Sequence, residues 1–178
     1  MRFRMSITRR RTIALLVPVA LLALAALVAA PTLADEGVTF RAQLSGFSEV
    51  PAISTTGSGE FRARLMGTAT APFIEYELSY SGLVGGPSTL FAHIHLGQAG
   101  VNGGVIAFLC GGGGKPACTF PSGTFTGTIV PADVIGPIGQ GILAGEFAEA
   151  VDGLQAGVVY ANVHTSVFPG GEIRGQIK

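Results

Sequence analysis

The chain has three histidines, and all of them fall in two short segments. His93 and His95 stand two apart in Phe91-Ala92-His93-Ile94-His95-Leu96, and His164 lies far downstream in Asn162-Val163-His164-Thr165. In a β-strand successive side chains alternate faces, so residues i and i+2 point the same way with Cβ atoms roughly 6.5–7 Å apart. Metal–nitrogen bonds are about 2.0–2.1 Å long, so two imidazoles at that spacing can reach one ion. If the strand carrying His164 lies beside the first, three rings converge. Three neutral imidazoles with an open position suit copper or zinc, and the Irving–Williams order favours Cu²⁺ at an all-nitrogen site. His93, His95 and His164 are therefore the candidate metal ligands. Asn162, Thr165 and Glu172 are polar neighbours able to orient a ring nitrogen, and Arg174 completes this outer set. The plain alternative is that the rings serve packing and hydrogen bonding, and spacing alone leaves it open.

No other constellation carries chemistry, and no catalytic residue is assigned. There is no Gly-x-Ser-x-Gly elbow, and the glycine run 111–114 is not followed by the Lys-Ser/Thr of a phosphate loop. Glu75 and Glu77 share a strand face and read as solvated. Cys110 and Cys118 are the only cysteines and flank that glycine run. In an exported chain they are expected to form a disulfide, worth about 2.5 kcal/mol in the chain-entropy model. A thiolate metal pair is the less favoured reading, because a glycine run is a poor ligand scaffold.

The elements that must position these side chains are strands. Apolar and polar residues alternate at 40–45, 61–65 and 74–80, and further strands are predicted at 90–96, 105–110, 119–130, 158–164 and 172–177. Thr124, Thr126 and Thr128 fall on one face. The one helix is expected at 147–155, ended by Ala156-Gly157. Glycine turns separate the strands, and no strand–helix alternation calls for a parallel sheet. The expected fold is all-β, an antiparallel Greek-key-like sandwich or flattened barrel of about eight short strands.

Residues 1–34 differ sharply from the rest. Five arginines lie in the first eleven residues, an apolar run occupies 13–30, and Thr32-Leu33-Ala34 puts small residues where a signal peptidase reads. These are the parts of a signal peptide, with cleavage expected after Ala34; an uncleaved anchor is the alternative. The remaining chain, 35–178, is the usual size of one domain. It keeps six of the eleven basic residues and all eleven acids, a net charge of −5. That leaves no basic footprint for nucleic acid and no polybasic patch for a membrane surface. A periplasmic or secreted location follows, with a metal ion and another extracytoplasmic protein as the candidate partners.

Three stretches resemble a known family: FRAQLSGFSEVP at 40–51, FAHIHLGQAGVNGG at 91–104 and GVVYANVHTSVFPGGEIRGQ at 157–176. They are similar to the CHRD domain, first described in chordin. The resemblance implies an all-β module whose two signature segments, which hold the three histidines, lie side by side. Chordin's binding of secreted growth factors is not implied, because the von Willebrand-type cysteine modules are missing. A fainter likeness links the His-x-His strand to copper–zinc superoxide dismutase. That enzyme's fourth copper histidine and its zinc loop have no counterpart here, so dismutase chemistry is a minor alternative.

Overall fold

A computed structural model describes residues 37–178. The predicted leader lies outside the described residues. Eight strands follow in chain order: β1 (Thr39–Ser45), β2 (Ser58–Thr68), β3 (Ala71–Ser81), β4 (Thr89–Leu96), β5 (Gly104–Cys110), β6 (Gly123–Ile129), β7 (Val159–Thr165) and β8 (Ile173–Gln176). The helix α1 (Phe147–Gln155) precedes β7. All strand pairings are antiparallel, in one sheet of order β5-β4-β7-β8-β1-β2-β3-β6.

That sheet curls into a nearly closed barrel, so of the two expected forms the flattened barrel is the observed one. Its edges β5 and β6 meet without pairing. Tyr76 Oη donates to the Leu109 carbonyl at 2.8 Å, and the Cys110–Cys118 disulfide holds the chain between the two edges. Alternation dictates which side faces in. Phe40, Ala42 and Leu44 of β1, Phe61 and Ala63 of β2, and Ile74, Tyr76, Leu78 and Tyr80 of β3 are all buried. They join Ala92 and Ile94 of β4, and Ala161 and Val163 of β7, in a single core. The helix contributes Phe147, Ala150, Val151 and Leu154, spaced i, i+3, i+4, i+7 so that one stripe is buried. It ends where Gly157 turns to φ +68°, as expected for a glycine just past a helix.

Two expectations are corrected. The strand predicted from residue 119 begins only at Gly123, because Cys118 is tied back to Cys110 and Pro121 interrupts the ladder. Glu172 lies before β8 rather than in it; its carboxylate is turned to the loops described below.

The arrangement that matters for function is the juxtaposition of β4 and β7. The register sets Phe91 opposite His164, His93 opposite Asn162 and His95 opposite Tyr160. On the far side of β7, Asn162 faces Arg174 of β8. These residues alternate with the core residues Ala92, Ile94, Ala161 and Val163, so they stand on the outer face of the barrel wall. Yet His93, His95, Asn162, His164 and Arg174 are all buried. The chain between β4 and β5, that after β1, and the β7–β8 turn roof this face.

Candidate metal centre

His93, His95 and His164 come together under that roof. Each offers one ring nitrogen, and these three atoms lie within 4.8 Å of one another. His93 Nδ1 is 3.2 Å from His164 Nε2. Two ligands bound 2.0–2.1 Å from one ion at a near-tetrahedral angle sit about 3.3 Å apart. The widest pair exceeds the sum of two such bonds by at most about 0.7 Å, within the reach of a small ring rotation.

Backbone carbonyls fix two of the rings. The Gly103 carbonyl is 3.0 Å from His95 Nδ1, and the Pro169 carbonyl is 3.0 Å from His164 Nδ1. A carbonyl only accepts, so both Nδ1 atoms carry the proton and both Nε2 atoms carry a lone pair. His164 Nε2 accepts from His93 Nδ1–H. His95 Nε2 is buried and has no partner at all.

The walls are aromatic. Phe91 and Phe108 pack on His93 with ring centroids 5.0 and 4.4 Å away. Tyr160 stacks on His95 at 4.7 Å, nearly parallel, and the Arg174 guanidinium lies 3.3 Å from the Tyr160 ring centroid. Burial lowers the basicity of all three imidazoles. It pulls His93 down to about 3, helped by the neighbouring His164 and His95, and His95 down to about 4 against the pull of the Gly103 carbonyl. His164 is lowered too, again by burial, with its Pro169 bond opposing. At neutral pH the rings are therefore uncharged, the form that ligates a metal.

This architecture joins the two histidine segments that the sequence alone leaves far apart. The CHRD domain family model matches residues 40–177. The chain belongs to the CHRD domain family. No curated protein and no solved structure matches it.

Within this CHRD domain the four outer residues fall into three roles. Asn162 donates from Nδ2 to Glu49 Oε1 at 2.8 Å and bonds no histidine. Thr165 donates to Glu172 at 2.8 Å. Glu172 accepts further from Thr55 Oγ1 and from the Val84 and Gly85 amides, at 2.7, 2.7 and 3.0 Å. Arg174 and Glu172 do not pair. Arg174 donates to the Gln98 and Val101 carbonyls and to Asn102 Oδ1, holding down the loop that carries Gly103. Ring orientation thus comes from main-chain carbonyls, which no sequence pattern marks.

Glu49 is the functional neighbour that sequence reasoning passed over. It is 7% exposed, and burial pushes its carboxyl up to about 7, although Arg174, Asn162 and the Val50 amide pull the other way. The only available signal was its place in the FRAQLSGFSEVP stretch, an acid just ahead of Val50-Pro51. A cleft of about 280 Å³, lined by Glu49, Arg174, Phe47 and Gly100 among others, opens beside it.

Proposed function

We propose that this protein is an extracytoplasmic CHRD module that holds one copper ion, or with lower preference zinc, between His93 Nδ1, His95 Nε2 and His164 Nε2. Its task is metal capture, delivery or sensing. The observation that carries the reading is the pair of carbonyl-pinned rings, which turn two Nε2 lone pairs toward the place where a third ring nitrogen stands 3.2 Å from one of them. The donor set is all imidazole, which favours copper over zinc. On binding, the His93 proton moves to its Nε2 and frees Nδ1. The disulfide fits an oxidising compartment, and the arginine-rich, then apolar first 34 residues support export to one.

Metal analysis tests the proposal. Purified protein dialysed after copper loading should keep one ion per chain, and the His93→Ala/His95→Ala variant should keep none. Equal retention by the two proteins overturns it.

One contact favours a second reading, a metal-free structural or protein-interaction module: the His93–His164 hydrogen bond already satisfies two rings. The orphaned His95 Nε2 speaks against it, since a buried unpaired acceptor costs about 1–3 kcal/mol. A dismutase lacks support, because the sequence has no fourth histidine. Copper-loaded protein is expected to leave superoxide decay unchanged.

A further inference from the structure

Two buried atoms on the roofed face lack a partner, His95 Nε2 and Asn162 Oδ1. Both are lone pairs. The His95 proton is committed to Gly103 through Nδ1, and the Asn162 amide nitrogen is committed to the Glu49 carboxylate. Glu49 Oε1 thereby fixes which way the Asn162 amide is turned, leaving its oxygen as the free end. Asn162 is 2% exposed. It stands directly opposite His93 across the β4–β7 ladder, and two residues from His164 on the same face of β7. What this face lacks is therefore positive: a cation for the histidine, and a hydrogen-bond donor for the amide oxygen. A third unpaired atom, Gln176 Oε1, lies one row further along β8, and a fourth, Thr89 Oγ1, lies at the start of β4.

We infer that Asn162 governs the open coordination position of the three-histidine metal site, admitting a ligand that donates a hydrogen bond, such as water or hydroxide, and disfavouring anions without a proton. The inference rests on the metal reading above. A water or hydroxide held at that position would supply the donor that Asn162 Oδ1 lacks. A proton-free anion in the same place meets a carbonyl oxygen instead and leaves it unpaired. Arg174 acts on His95 through its charge and not through a contact: its guanidinium donates to the Gln98 and Val101 carbonyls and to Asn102 Oδ1, so it supplies no hydrogen bond in place of the one Asn162 Oδ1 lacks. Glu49 acts one step further out, as the residue that positions the amide.

The test is azide binding to the Cu²⁺-loaded full chain, followed by electron paramagnetic resonance and by the azide-to-copper absorption band. Wild type should bind azide weakly. Asn162→Leu should bind it about tenfold more tightly, the equilibrium equivalent of one hydrogen bond, with copper affinity changed less than threefold. Circular dichroism and a melting curve establish that the variant folds; if it does not, Asn162→Ala takes its place with the same expectation. Azide affinity equal in wild type and variant overturns the role of Asn162 while leaving the metal site intact. Wild type that shows no protein-bound Cu²⁺ signal overturns both, so the two failures are told apart.

Discussion

Burial governs the protonation of the three imidazoles and of Glu49, and it acts in opposite directions on these bases and this acid. The imidazoles are pushed toward the neutral form, His93 to about 3 and His95 to about 4. In the metal-free protein, the imidazole resonances of these two should show at most about a tenth protonation between pH 7 and pH 5, the range over which an unperturbed histidine goes from mostly neutral to mostly charged. A titration midpoint near 6.5 for either ring would mean that the roof does not exclude water. Glu49 is pushed the other way, from 4.5 to about 7. A carboxyl that holds its proton more tightly in the folded than in the unfolded chain contributes stability below pH 4.5, and that contribution is lost as pH rises through about 7. Glu49→Gln should therefore flatten the stability profile across this window, narrowing the difference between pH 4.5 and pH 7.5 by about 1–2 kcal/mol once solvent screening is allowed for. Denaturant melts at the two pH values measure it. At this scale the sequence discloses the candidate ligands and their spacing, because a His-x-His pair in an alternating strand puts both rings on one face. It does not disclose Glu49, Gly103 or Pro169. The first is an acid in a loop, and the other two act through main-chain carbonyls that every residue possesses.

At the scale of elements, the site is a strand pair plus a roof, and the two are held by different forces. The β4–β7 pair is secured by ladder bonds and by the core residues on its inner face. The roof has no apolar periodicity of its own and depends on buried polar anchors. Glu172 is the principal one. Fully buried, it gathers Thr55 from the loop after β1, Val84 and Gly85 from the loop before β4, and Thr165 from the end of β7. Burial alone would raise its carboxyl, but these four donors outweigh it and hold it below the ordinary carboxylate value. Glu172→Gln places an amide where two main-chain N–H groups point, and should destabilise by about 2–3 kcal/mol in chemical denaturation. A loss below about 0.5 kcal/mol would show that the loops are held otherwise. Gly171, in the β7–β8 turn, has φ +128°, and a Cβ there would sit 2.6 Å from both Glu49 Oε1 and Asn162 Nδ2. Gly171→Ala should break the Glu49–Asn162 bond and lower stability by about 2 kcal/mol or more. The first three strands were legible from alternation, the later ones as short runs between glycine turns, and the helix from the Ala156-Gly157 stop that ends it. The roof was not, since its loops follow no repeat. The start of β6 falls later than expected for a related reason: the disulfide ties back Cys118, and Pro121 cannot donate to the ladder.

For the molecule as a whole, the weak line is the seam where β5 and β6 meet without a hydrogen-bond ladder. The Cys110–Cys118 disulfide sits at the end of β5, and the nine-residue loop it closes contains four consecutive glycines. Glycines surrender more conformational entropy on ordering than any other residue, so this loop gains more from a covalent clamp than an ordinary one does. The same loop reaches the three-histidine cluster. Gly112 and Gly113 lie flat on the Phe108 ring, with no room for a side chain, and Phe108 in turn packs its ring against His93. Replacing both cysteines by serine should therefore have two separable effects. Stability should fall by about 2.5 kcal/mol, or about 8 °C in Tm for a domain of this size. Copper should leave faster, because the wall that fixes the His93 ring loses its cover, while the carbonyl-pinned His95 and His164 keep their orientation. Phe108→Ala with the disulfide intact isolates the second effect: it should speed copper release as much as the double serine variant does, with a different loss of stability. If release is fast in the serine variant and unchanged in Phe108→Ala, the coupling runs through the strand edge and not through the aromatic wall.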